Sequence, residues 1–455
     1  MRIPLSGALA LALLSFGCGD DGDGGGGADA GDGVDALPAP DARPRTTSCG
    51  LLLTYRSAAQ RAGAPVVFST PDGTVLGTEV TDVDGRASRN DCQPGTLVTF
   101  DLAATAGGGL GGTRLVEAVT VAGVNPGDTV VYPRSELASF EATVPVNVSA
   151  DTAGIAHDSS TVTVGRACGT FGSAVGTSRD LDISAPCLGT DQTTDVAAML
   201  FSQNELVGFA SATDIPVAFG EVTSPVDLPG FSNVSVDQDV ALTVSNAGPA
   251  ELVFLSLDQG RDLNSFLQWT AAPPPQDGSY GWSFDALPTS FGDYMVAEGR
   301  VLNSSPNGSV SDRLLSTRSA PSTSAAIDMN EALPTMRGAS LSLDDGNALL
   351  LWQADGSQAE ADGGFARIQL QSPAVFGSWT VVFPAVEDSS YLITAIPKSL
   401  GLTSSDLRLI ELGFFEFDWA DYQSVITTGA DTIEGPRTSV RDTVRRISRW
   451  AILDN

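Results

Sequence analysis

From about residue 50 onward the chain is a succession of short runs in which apolar and polar residues alternate or apolar residues stand together, each closed by turn residues. Alternation has the period of a half-buried strand, and short apolar runs between turns suit strands buried on both faces. "PVVFST" meets "TVLGTEVT" across Pro71-Asp72-Gly73, and "TDVDGRAS" turns on Asp84-Gly85, where glycine accepts a positive φ. "VPVNVSAD", "STVTVGRACG" and "RDLDISAPC" follow as strands, and "TDVAAMLFSQNELVGFASATDI" reads as a hairpin with Asn204-Glu205 at its tip. Further on, "ALLLWQADGSQAEADGGFARIQLQ" and "GSWTVVFPAVEDSSYLITAIP" are strands joined by polar turns. "LNSSPNGSVSD" and "STRSAPSTSAA" read as loops, the second marking a boundary near 325–340. No strict repeat period runs through these elements, which argues against a propeller or solenoid. The pattern predicts an all-β fold of tandem β-sandwich domains, divided into 47–143, 144–240 and a Trp-containing region 241–455 of one or two domains. All six tryptophans fall in the last region and no cysteine does.

The one apolar run of a different kind is Ile3 to Leu14, behind Met1-Arg2. It suits the apolar core of a signal peptide and falls short of the ~20 residues of a spanning helix. Small residues around "SFG" precede Cys18. This stretch resembles a bacterial lipoprotein signal, which implies cleavage after residue 17 and acylation of Cys18. Positions 18–46 are Gly- and Asp-rich and have the composition of a disordered tether, with a reach of roughly 25–30 Å for a flexible coil of that length. Acidic residues just after the cysteine also resemble the surface-export tethers of some Gram-negative lipoproteins. The expectation is therefore an exported outer-membrane lipoprotein, on the cell surface or the periplasmic face, touching membrane through its lipid alone.

Cysteine arithmetic fits that expectation. Five cysteines leave an odd thiol in an oxidising compartment, and lipid on Cys18 leaves four. Cys49 and Cys92 flank the first strands, and Cys168 and Cys187 sit on neighbouring predicted strands. Local pairing of each couple is the economical choice among three connectivities, of which sequence excludes none. Gly63-Ala64-Pro65-Val66, Asp72-Gly73, Thr81 to Ala87 and Pro94-Gly95 resemble the carboxypeptidase regulatory-like (transthyretin-like) domain, and nearly as well the bacterial Ig-like domains of adhesins. The resemblance covers about a ninth of the chain and implies a small β-sandwich without a catalytic residue. The layout of the remainder resembles multi-β-domain lipoproteins of large high-GC genomes.

Charge narrows the function classes. With 24 basic and 55 acidic side chains the net charge is −31, which disfavours nucleic acid and anionic lipid as partners. The single histidine, His157 in "AGIAHDSS", would have to serve any Ser-His or Cys-His system, and no G-x-S-x-G elbow accompanies it. It reads as a loop residue. Asp82 and Asp84 lack the spacing and distal Glu of a calcium loop and read as turn chemistry. No metal or cofactor is expected. "GFFEFDWADY" is the best candidate ligand face. On a strand Phe415, Phe417 and Trp419 would face one side, and Glu416 and Asp418 the other, roughly 6–7 Å apart. Arg437, Arg441, Arg445, Arg446 and Arg449 cluster near 450 and are expected to pair with carboxylates on neighbouring strands and stack on Trp450. These features lead to a non-enzymatic envelope protein for binding, adhesion or scaffolding, with a protein or carbohydrate ligand. The alternative is a carbohydrate-active hydrolase using carboxylates of the C-terminal half.

Overall fold

The structure, a computed structural model, describes most of residues 47–452. Residues 1–46, 54–61, 103–113, 133–142, 165–169, 174–177, 185–192, 217–225, 234–238, 394–403, 430–443 and 453–455, with a few single or paired positions, lie outside the described residues. The first region supplies β1 (Cys49–Leu53), β2 (Pro65–Ser69), β3 (Val75–Val80), β4 (Arg86–Arg89), β5 (Thr96–Asp101), β6 (Arg114–Val124) and β7 (Thr129–Tyr132). The second holds β8 (Thr143–Ser149), β9 (Ser159–Val164), β10 (Thr170–Ser173), β11 (Ser178–Ser184), β12 (Thr193–Ser202), β13 (Glu205–Pro216), β14 (Val226–Asp227) and β15 (Ser232–Asn233). The third begins with β16 (Val240–Ser245), β17 (Leu252–Arg261), β18 (Asn264–Ala271), β19 (Tyr280–Phe284), β20 (Tyr294–Ser304), β21 (Ser309–Ser319) and β22 (Ser324–Asp328). It continues through β23 (Met336–Asp344), β24 (Asn347–Ala354), β25 (Gly363–Gln371), β26 (Val375–Pro384), β27 (Ser390–Ile393), β28 (Leu407–Phe417), helix α1 (Tyr422–Gly429) and β29 (Val444–Ile452).

The chain is all-β, as the alternation predicts. Its centre is a sheet of twelve strands in the order β18-β17-β20-β21-β29-β28-β25-β26-β6-β5-β2-β3. Four of these strands come from 47–143 and the other eight from 241–455. The two groups meet where β26 runs parallel to β6, with Val375 opposite Arg114 and Val382 opposite Val121. The strands between 143 and 233 form two sheets of their own, β10-β9-β12-β13-β15 and β11-β8-β14.

Side-chain parity explains how the large sheet is covered. In β28, Phe414 and Phe415 are both buried but belong to different cores, so the strand is sealed on both faces. On one face Phe415, Phe365, Val382, Val119 and Phe100 meet the three-stranded sheet β4-β1-β7 and helix α1. On the opposite face Phe414, Ala366, Val381 and Trp450 meet β23-β24-β27, where Ala348, Leu350 and Trp352 point inward at alternate positions. Further along that face Leu255, Leu257, Ala297 and Leu315 pack on Val240, Leu242 and Val244 of β19-β16-β22. The layers therefore have one long sheet in common.

Several local expectations shift. Gln203 and Asn204 both carry positive φ (53° and 66°), and Ser202 pairs with Glu205. The hairpin tip is thus Gln203-Asn204, one residue earlier than read, because a two-residue type I′ turn needs positive φ at both central positions. "LNSSPNGSVSD" is mostly strand, the ends of β20 and β21 around a turn closed by Gly308. "STRSAPSTSAA" likewise lies largely in β21 and β22. The helix was not legible in the pattern. Asp421 caps it by accepting from the Ser424 N–H at 2.8 Å, and the buried Tyr422 donates to the Ala122 carbonyl at 2.6 Å.

Candidate functional site

The carboxylate face proposed from "GFFEFDWADY" sits at the end of β28. Phe415 and Phe417 do share one side, their rings 5.4 Å apart in the first core, and Glu416 lies on the other. Opposite them, Glu416 pairs with Arg446 while Phe417 pairs with Val444. Arg445 is the extra residue of a β-bulge. The bulge brings two guanidiniums to one carboxylate. Arg446 binds Glu416 through Nε and Glu360 through Nη1 at 2.9 Å, and Arg445 reaches Glu416 at 3.7 Å and Asp418 at 3.6 Å. Asp418 falls beyond the strand end, and Trp419 lies outside the described residues. The acidic face is an ion-pair cluster. Arg445, Arg446 and Arg449 pair with carboxylates of neighbouring strands as expected. Arg437 and Arg441 lie outside the described residues. Among the described residues, Arg318 has its guanidinium over a ring, 4.2 Å from the centre of Tyr294.

A second charge cluster was not anticipated. On the face that carries the first core, Arg300, Asp312, Arg449, Glu411 and Arg367 form a row across β20, β21, β29, β28 and β25. Arg300 grips both oxygens of Asp312 at 2.9 and 2.7 Å, and Arg449 reaches Asp312 at 2.5 Å and Glu411 at 2.9 Å. Arg367 closes on Glu411 at 3.6 Å, its direct cross-strand partner. Asp312 is 3% exposed. Burial would push its carboxyl up, but the guanidiniums of Arg300 and Arg449 outweigh that and hold it below the ordinary value. Arg300 is held above its ordinary value, burial opposing and Asp312 prevailing. Both carboxylates of this row, Asp312 and Glu411, are ion-paired, which leaves neither idle for proton transfer.

Past this row the same face opens. Along β25 the side chains on this face run Phe365, Arg367, Gln369, Gln371, from core through charge to amide. Along β26 they run Val382, Thr380, Ser378, Phe376. Gln369 pairs with Arg408 on one side and Ser378 on the other, and Gln371 pairs with Phe376. Phe376 in turn pairs with Leu115 of β6. These two apolar side chains are 50% and 45% exposed, side by side. Next to them is an open cavity of about 520 Å³ between the β25–β26 turn and the start of β28, lined by Gln369, Gln371, Ser372, Ser405, Asp406 and Arg408. Ser372 shapes its lip, its hydroxyl accepting from the Val375 N–H at 3.0 Å while its own N–H donates to the Val375 carbonyl at 2.7 Å.

Of the remaining predicted residues, Cys49 and Cys92 form a disulfide that ties β1 to the turn after β4, Cα–Cα 5.9 Å. Cys18, Cys168 and Cys187 lie outside the described residues. Asp82 accepts at Oδ1 from the N–H groups of Asp84 and Arg86 at 2.9 and 2.8 Å, which is the turn chemistry expected. His157 lies in a loop with Nδ1 2.8 Å from the Ile155 carbonyl. Among the described residues no group of His, Cys, Asp and Glu is arranged to hold a metal ion, and no helix is long and apolar enough to cross a membrane. What the sequence reading missed is the open end of the face. The signal was the alternation of Arg367, Gln369 and Gln371 in "GGFARIQLQ", which marks a strand side without a partner layer at that end.

A comparison with family profiles and with curated proteins finds no match. Among solved structures, the Bacillus anthracis TIE protein is similar over 62% of this chain at 10% identity and a TM-score of 0.14, and the chain spans about half (49%) of that protein's length. A calcium-stabilised adhesin with which an Antarctic bacterium binds ice is similar over 82% of this chain and 94% of its own, at 10% identity and a TM-score of 0.13. At such TM-scores neither likeness extends to a shared fold.

Proposed function

We propose that this chain is a lipid-anchored protein of the bacterial cell envelope that works by binding rather than by catalysis. The observation that carries the reading is how the large sheet uses its polar side chains. Its carboxylates at the C-terminal strands are consumed by arginines, Glu416 by Arg445 and Arg446 and Asp312 by Arg300 and Arg449. The same sheet presents amides and two exposed apolar side chains at its open end. A general acid or base needs a carboxyl poised near the working pH, and salt-bridged carboxylates are poised for structure. The signal-like segment ending at Cys18 and the acidic tether support anchoring.

Two measurements test the reading in the producing bacterium. Globomycin, which blocks lipoprotein signal peptidase, should leave the precursor uncut, and Cys18→Ala should move the protein from the membrane fraction to the soluble one. Normal processing under the drug overturns the anchor. Turnover of any polysaccharide by the full chain, lost in Glu416→Gln, overturns the non-catalytic part.

A further inference from the structure

We infer that the open end of the large sheet, Gln369, Gln371, Phe376, Leu115 and Arg408 with the adjoining cavity, is a binding site for a neutral polysaccharide. The inference deepens the binding reading and rests on it. Three properties of the site select the ligand. First, the Phe376 ring and Leu115 lie exposed at directly paired positions of β26 and β6, forming an apolar step on an otherwise polar surface. An aromatic face beside an aliphatic side chain matches the C–H face of a pyranose ring, which is apolar and flat. Second, the groups bordering the step are two side-chain amides, serine hydroxyls and an Asp–Arg set. Each amide offers two donors and an acceptor, so Gln369 and Gln371 can meet hydroxyls that are themselves both donor and acceptor. Third, the chain carries a net charge of −31, and the cavity lining sets one arginine, Arg408, beside one aspartate, Asp406. An anionic polymer would be repelled at long range and would find no surplus positive charge on arrival. The cavity is open to solvent.

The test is affinity electrophoresis of the full chain, without its signal and tether, in native gels containing hydroxyethylcellulose, laminarin, galactomannan or dextran, with alginate and dextran sulfate as anionic controls. The result expected is retardation in at least one neutral gel and none in the anionic ones. Phe376→Ala and Gln371→Ala should each weaken that retardation about tenfold, as removal of one stacking ring or one amide contact does. Leu392→Ala removes a comparably exposed side chain on another sheet and should leave it unchanged. Both binding variants alter exposed positions, and an unshifted thermal midpoint confirms their folding. Retardation equal to wild type in Phe376→Ala and Gln371→Ala overturns the site. Retardation in the anionic gels, or in none of the neutral ones, overturns the ligand class. Neither result touches the anchor, whose failure shows in the fractionation experiment.

Discussion

Asp312 is a single carboxylate on which two guanidiniums converge with almost no solvent between them. Asp312→Asn keeps the shape and removes the charge, leaving the half-buried Arg300 and Arg449 with weakened partners. Breaking a buried pair in this way costs about 3–5 kcal/mol. The pH dependence follows from the direction of the shift. The carboxyl is held below 3.8 in the folded chain, so its stabilisation is complete above that value and is lost as pH falls through the folded-state value. The gap in thermal midpoint between wild type and Asp312→Asn should therefore be wide at neutral pH and narrow in acid below the usual carboxylate range. A gap independent of pH would contradict the assignment. This residue could not be picked out of "SVSDRLLSTRS", because its partners Arg300 and Arg449 reach it from strands 12 and 137 positions away. The Asp82 turn, by contrast, was readable because all its hydrogen bonds close within five residues.

Strand pairing shows the same division between local and distant causes. Alternation located β2, β3, β12, β13, β24 and β25, and the two sides of β28 at Phe415 and Glu416 were assigned as they are found. Bulges at Arg445 and between Arg367 and Ile368 were invisible, since a bulge depends on the neighbouring strand's register. The pairing of β6 with β26 was equally hidden, and it depends on one glycine. Gly377 has φ +156°, and a Cβ there would stand 1.7 Å from the Val116 carbonyl oxygen. No rotamer relieves a clash with backbone. Gly377→Ala should cost at least about 2 kcal/mol in chemical denaturation, whereas Gly338→Ala, where a Cβ meets open space, should cost far less. Equal stability of the two variants would contradict the observed pairing. The lateral bond Trp379 Nε1 to Thr120 Oγ1, 2.9 Å and fully buried, reinforces the same seam.

At the scale of the molecule, that seam couples regions that read as separate in the sequence. The disulfide lies among the first strands, and all six tryptophans lie beyond residue 241. Opening the 43-residue loop by Cys49→Ala with Cys92→Ala should cost about 4 kcal/mol by loop-closure entropy. Because Phe100, Val119, Val382 and Phe415 share one core, tryptophan fluorescence should report the loss as a lower melting midpoint even though no described tryptophan belongs to the core that holds the bond. An unchanged fluorescence midpoint beside a shifted one for the N-terminal strands would mean two independent units.

The position of β29 has a consequence for how the protein is made. This strand, residues 444–452, is inserted between β21 and β28 in the interior of the twelve-stranded sheet. Until those nine residues leave the ribosome, the eleven earlier strands of this sheet stand as two half-sheets with raw edges, an invitation to mispairing. Premature termination just upstream of Val444 removes a keystone and should yield an insoluble product. Holding the preceding strands unfolded until β29 emerges is thus a demand of its own topology.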